Sequence, residues 1–167
     1  MSSITFKEPN RYFIENVKDE EVVLGGENGE HQLAMRHAVM ISKCHNAVIH
    51  LKGKCNKVEL DHCTKVTVIV PAVVSSVDMQ KSASCEIHVE QRCPGISIDD
   101  CNSMSIYVPR DSMEFIEVAS SGGGSANLFV PTEEDPTEFK EYPIPFQFVH
   151  KFKGSKLVSE VSPLYTH

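Results

Sequence analysis

Apolar residues recur along this chain as pairs, each split by one residue of different character: Ile49/Leu51, Val58/Leu60, Val68/Val70, Val77/Met79, Ile87/Val89, Ile96/Ile98, Ile106/Val108, Ile116/Val118 and Leu128/Val130. Successive first members are spaced alternately by nine and ten positions, or nearly so, and the last step is twelve. Alternation within a pair is the period of a strand with one buried face. A fixed period across many strands marks a repeat architecture. An antiparallel sandwich or barrel also uses short, evenly spaced strands. A meander, however, favours Asn-Gly or Asp-Gly turns, and none occurs between Ala47 and Pro131. The near-constant spacing therefore favours an all-β parallel β-helix with two strands per coil of about 19 residues, and with Ile49, Leu60, Val68, Ile87, Ile98 and Ile106 inward. Cys55, Cys63, Cys93 and Cys101 follow apolar pairs, where a small, easily buried residue suits a tight corner.

Outside the repeat the texture changes. Met1–Asn10 reads as a frayed tail, and Arg11–Val17 and Glu21–Leu24 as the first strands before a turn at Gly25–Gly29. Val39/Ile41 adds one more pair ahead of Ile49 at the same spacing. Helical signals are poor, because Val and Ile dominate. Gly122, Gly123 and Gly124 lack the Lys and the strand-to-helix setting of a phosphate loop, so Ser120–Ser125 reads as a flexible surface turn. The spacing thus makes residues 1–131 the coil stack. Residues 132–167 begin with prolines dense enough for an extended linker. A hairpin signal follows at Phe148–Phe152 and Lys156–Val161, around a turn at Lys153–Ser155. A lone hairpin is marginal in water. It could pair with a partner's hairpin or cap its own stack, and the pattern alone leaves both open.

Bulk properties narrow the function. The chain has 167 residues, 41% of them apolar and 23% charged, enough for one domain with a sizeable core. The absence of Trp suits a narrow aliphatic core rather than a wide ligand cavity. A net charge of -7 argues against nucleic acid and anionic membranes as partners, and no apolar run approaches a membrane span. Six Cys without a secretion signal read as reduced thiols in the cytoplasm, and no spacing resembles a zinc site. No cofactor or metal is expected. Nor is catalysis: Asp99 and Asp100 are adjacent, so a strand points them to opposite faces, and the eight His are scattered.

Two stretches carry a resemblance to a known family. One is Leu51-Lys-Gly-Lys-Cys-Asn-Lys-Val-Glu-Leu-Asp-His-Cys63. The other runs from Pro131-Thr-Glu133 through Pro143-Ile-Pro145 and Gln147-Phe148 to Gly154 and Lys156-Leu-Val158. Together they are similar to the C-terminal domain of cyclase-associated protein, over about Arg11 to Val161. The resemblance implies a right-handed parallel β-helix that dimerises by exchanging its C-terminal hairpin. It also implies binding of ADP-actin monomers and acceleration of their nucleotide exchange. Dimer contacts would then involve Pro143, Pro145, Phe148, Phe152, Gly154, Leu157, Val158 and Val161. The helical domain, proline-rich segment and second actin-binding motif of longer members do not occur in this sequence, so cyclase binding is not carried over. Phe146 stands where the family commonly has Glu.

Actin is acidic, so a Lys row on the coil stack would steer encounter, and the expected contacts are the outward polar residues Lys52, Lys54, Asn56, Lys57, Asp61 and Lys65, read as one flat mixed-charge strip. Coils about 4.8 Å apart give such a face roughly 430 Å2, against about 800 Å2 per partner in a standard interface. The exchanged arm or the tail should supply the rest. A different class of function is a GTPase-activating protein like tubulin-folding cofactor C, a similar β-helix, for which Arg92 is the candidate arginine finger.

Overall fold

The structure, a computed structural model, describes residues 3–165. Strands β1 (Ser3–Lys7) and β2 (Arg11–Glu15) open the chain as an antiparallel hairpin. Ten strands follow: β3 (Glu21–Gly25), β4 (Ala38–Ser42), β5 (His45–Lys52), β6 (Cys55–Asp61), β7 (Thr64–Gln80), β8 (Glu86–Arg92), β9 (Gly95–Asp99), β10 (Met104–Tyr107), β11 (Glu117–Ser121) and β12 (Ala126–Pro131). With β2 they stack in parallel into two faces. Face A comprises β2, β4, β6, the second half of β7, β9 and β11. Face B comprises β3, β5, the first half of β7, β8, β10 and β12. This is the two-strand-per-coil parallel β-helix that the spacing favours.

Register explains the period. Val39, Val58, Val77 and Ile96 are stacked partners on face A, at a constant step of nineteen positions. Ile49, Val68, Ile87 and Ile106 do the same on face B. All eight are buried, as are Leu60 and Ile98. The first coil is longer: Ile14 pairs with Ile41 and Val22 with Ile49, eight positions more than the constant step. The last coil is longer by three, with Ile96 paired to Val118 and Ile106 to Leu128. Both additions fall at the corner running from face B to face A, which they decorate. One is the loop between β3 and β4. The other is the 3-10 turn Arg110–Glu114, where buried Ser112 accepts the Cys93 N–H at 3.2 Å.

The opposite corner is uniform. Asn16, Lys43, His62, Lys81 and Asp100 have left-handed backbones, and so do Asp19, Asn46, Lys65, Ser84 and Ser103, each three positions further on. A left-handed non-Gly residue costs about 1–2 kcal/mol. Here the conformation aims N–H groups at the next coil. The Lys43 N–H donates to Asp61 O at 3.0 Å, that of Lys81 to Asp99 O at 3.0 Å, and that of Lys65 to Ala83 O at 3.1 Å. Between the left-handed pairs one small side chain turns inward: Cys44, Cys63, Ser82 and Cys101, all buried. The cysteines are corner and core residues, all six of them free thiols. Burial pushes the Cys55 thiol up to about 12 and the Cys93 thiol up to about 11.

Two expectations are corrected and a third is refined. Of the tail expected to fray, Met1 and Ser2 lie outside the described residues, but residues 3–7 form a strand. Ile4 and Phe6 pack on the core, and Phe6 lies 4.7 Å from Tyr12 between ring centroids. The Ser120–Ser125 segment lies at the surface as expected, but it is held close to the neighbouring coil at Gly123 and Gly124. A Cβ on Gly123 would sit 2.2 Å from Cys101 O, and one on Gly124 1.9 Å from Asn102 Oδ1. Residue 132 onward is not a plain extended linker. Thr132 N donates to Glu138 O at 2.8 Å, and Asp135 accepts from Thr137 Oγ1 at 2.7 Å and Thr137 N at 2.9 Å. Those bonds hold the Asp135 carboxyl below its ordinary value. The ordered turn reverses the chain, so β13 (Phe139–Pro143) runs antiparallel along β12.

Each end of the stack is therefore half covered. β1 closes face A at the start and β13 closes face B at the finish. The outer edges of β3 and β11 have no strand partner among the described residues.

Candidate interaction surfaces

The last two strands, β14 (Phe148–Lys153) and β15 (Lys156–Val161), form a two-stranded sheet of their own. The hairpin turns at Gly154, whose φ of +64° favours glycine. Its whole surface faces outward except at Val158. Phe152 is 72% exposed and Leu157 61%, and Phe148, Val149 and Val161 are also exposed. Pro143 ends β13, and Pro145 lies in the open connection to β14, beside Ile98, Gly122 and Ala126. A groove between the unpaired β11 edge and this connection is lined by Ile98, Ser120, Ile144 and Phe148.

The six polar residues expected to share one flat strip do not lie in a row. They lie between positions 52 and 65, within a single coil, whereas rows run across coils between positions one whole coil apart. Lys52 ends β5 on face B, and Lys54 stands at the decorated corner. Asn56 begins face A, and its side-chain and backbone oxygens both accept from Ser75 Oγ at 2.9 Å. Lys57 is paired with Asp78 at 3.3 Å. Asp61 faces His62 Nδ1 at 2.8 Å near the uniform corner, where Lys65 sits in its left-handed conformation. Lys52 and Lys54 remain the two neighbouring cations with no ion pair among the described residues.

The faces differ in chemistry. Face A is acidic: Glu59, Asp78 and Asp99 line a groove of about 280 Å3 with Met40, Gln80 and Ser97. Face B carries an aromatic ladder. His88 stacks on Tyr107 at 4.3 Å and Tyr107 on Phe129 at 4.6 Å, with Phe139 of β13 edge-on to Tyr107. Partial burial, then Glu86 and Glu141, raise the Tyr107 phenol above its ordinary value. His50, further along this face, contacts Glu21. The ladder follows from the coil step, and reading positions 88, 107 and 129 as a row would find it.

No chemistry converges at one point. Among the described residues no group of three or more His, Cys, Asp or Glu could hold a metal ion. Arg92 does not project as a finger must: its guanidinium lies over the Phe115 ring, 4.2 Å from the centroid.

The described residues thus present two contrasting flat faces and an exposed apolar hairpin. The family model described as adenylate cyclase associated (CAP) C terminal matches residues 2–164. Adenylyl cyclase-associated protein of Schizosaccharomyces pombe is 33% identical over 156 residues, covering 92% of this chain and 27% of that protein. Human adenylyl cyclase-associated protein 1 is 30% identical over 130 residues, covering 78% of this chain and 27% of the relative. The crystal structure of cyclase-associated protein from Cryptosporidium parvum superposes with a TM-score of 0.84 at 27% identity, covering 96% of this chain and 94% of that one. The chain belongs to the C-terminal domain family of cyclase-associated proteins. It spans about a quarter of the length of these curated relatives (27%).

Proposed function

We propose that this chain is a non-enzymatic binder of actin monomers that takes the ADP-bound form and speeds its nucleotide exchange in the cytoplasm. It works as a homodimer in which β14 and β15 are exchanged between copies. Family membership supports the actin reading, and the exposed apolar hairpin carries the dimer reading. Phe148, Phe152, Leu157 and Val161 present apolar surface that a lone hairpin cannot bury. An open sheet edge invites pairing, and β11 offers the partner's hairpin such an edge at the finish of face A. Pro143 and Pro145 direct the arm outward, Gly154 makes its turn, and Val158 is its half-buried seam.

For actin, Lys52 and Lys54 supply free cations at one corner. Asn56 and Lys57 continue from them onto face A, while Asp61 and Lys65 lie around the coil. One face of this size is smaller than a standard interface. Two copies joined by their arms let one subunit hold actin while the partner's arm contacts the same molecule. The test is exchange of labelled ATP on ADP-actin monomers, with GTP hydrolysis by tubulin or small GTPases measured in parallel. Acceleration of exchange without GTP hydrolysis supports the reading. Unchanged exchange rates at saturating protein would sink it.

A further inference from the structure

The two added segments at the decorated corner stand either side of a depression. Its floor is the corner of β7, where Ala72 and Val73 are buried and Val74 is 49% exposed. Met35, from the loop between β3 and β4, forms one wall and is 60% exposed. Arg92 forms the other, held over Phe115, which follows the second added segment. The groove holds about 350 Å3 and its lining is mainly apolar. That volume is at the low end for ligand sites of about 300–1,000 Å3, and it suits a large side chain rather than a cofactor. Lys54 and Arg92 are the only charged residues in the lining. Neither makes an ion pair among the described residues, in a chain whose net charge is -7.

From this juxtaposition we propose that the groove is a docking site for an extended acidic peptide segment of a partner protein. Such a segment would place one large apolar side chain on Val74 and flanking carboxylates on Lys54 and Arg92. An apolar cleft with a few polar groups placed at its rim has the make-up of a binding site. The rim here has a single sign, which selects acidic partners and rejects basic ones by like-charge repulsion. The cation–π contact holds the Arg92 guanidinium in place beside the groove, so that it is pre-organised for a carboxylate. The site is lined by residues between Met35 and Arg92, with Phe115 behind Arg92, and does not involve the hairpin, so it would be present in each subunit whatever the oligomeric state.

The test uses the full chain and no actin, so its failure leaves the exchange reading standing, and the reverse holds too. A random twelve-residue peptide phage library is selected on the immobilised chain. The enriched peptides are synthesised with a fluorescein label and titrated by anisotropy. Expected are peptides with a large apolar residue flanked by Asp or Glu. Their dissociation constants should rise at least tenfold for Lys54→Glu and for Val74→Asp, and should also rise with salt. Both side chains are exposed, and thermal melts check that each variant is folded. Failure to enrich any peptide, enrichment without acidic residues, or affinities within twofold of wild type in the folded variants would overturn the proposal.

Discussion

Replacing Phe152 by Asp separates a hairpin that has a partner from one that does not. An aromatic side chain offers about 150–250 Å2 of surface, so at 72% exposure Phe152 leaves about 140 Å2 open in the single chain. Covering that area in a dimer would contribute about 3.5 kcal/mol per copy at 25 cal/mol per Å2. Two copies lie in one assembly, so the substitution removes about 7 kcal/mol from association as an upper value. That corresponds to roughly five decades in the dimer dissociation constant. The coil stack loses nothing, because Phe152 is no part of its core. Light scattering coupled to gel filtration should give wild type near twice 18.6 kDa and Phe152→Asp near one chain. Circular dichroism should show the same strand content in both. A wild-type mass of one chain, independent of concentration, would refute the exchanged arm. So would an undiminished dimer in the variant.

Four further outcomes follow from the geometry. Gly123→Ala should cost several kcal/mol in urea denaturation, since its Cβ would meet Cys101 O at 2.2 Å, while Gly154→Ala, with nothing within 4 Å, should cost only about 1 kcal/mol for its left-handed backbone. Lys81→Val should destabilise by about 1–2 kcal/mol and Lys81→Asn should be neutral or better, because φ is 48° there and Asn tolerates that region. Replacing Lys52 and Lys54 together by Ala should weaken actin binding with little change in melting temperature, whereas Lys57→Ala, already engaged by Asp78, should weaken it less; equal effects measured by pyrene-actin titration would count against the corner contact. Stability should fall as pH rises above about 9, because unfolding releases protons from thiols that burial holds protonated at Cys55 and Cys93. It should also fall on the acid side below about 6.5, where the unfolded chain binds a proton at His37 that burial, and then Arg36, keep off the folded one. Urea midpoints across the pH range check both arms.

Much of the fold is legible in the sequence because the core repeats two periods at once. Ile49, Val68, Ile87 and Ile106 alternate within their strands and recur at a constant step, so both the buried face and the coil length can be read directly. Ile4 and Phe6 also alternate with polar neighbours, but so short a run beside a terminus carries little weight until Tyr12 and His37 are seen around Phe6. The glycines at 122–124 mark the surface turn but not its constraint, which comes from Cys101 and Asn102, one coil below. The polar strip dissolves for the same reason: neighbours along positions 52–65 wrap around the coil, and surface neighbours are one coil away. The left-handed corner positions are partly visible at Asn16, Asp19 and Asn46, but Lys43, Lys65 and Lys81 have no such signature. The groove beside Val74 needs Met35 and Arg92, far apart in sequence, to meet at one corner.

The placement of extra residues at only one corner has a consequence for how this chain can change in length. On the uniform corner the left-handed N–H groups of Asn16, Lys43, His62, Lys81 and Asp100 reach carbonyls in the next coil, so an insertion there would break a contact repeated along the stack. The other corner has absorbed three additional positions in one coil and eight in another with both faces still in register. Length variation in the coil stack is therefore restricted by place. It comes as whole turns anywhere in the interior, or as any number of positions at the decorated edge. Removal of half a turn would exchange the acidic face for the aromatic one in every coil beyond the cut.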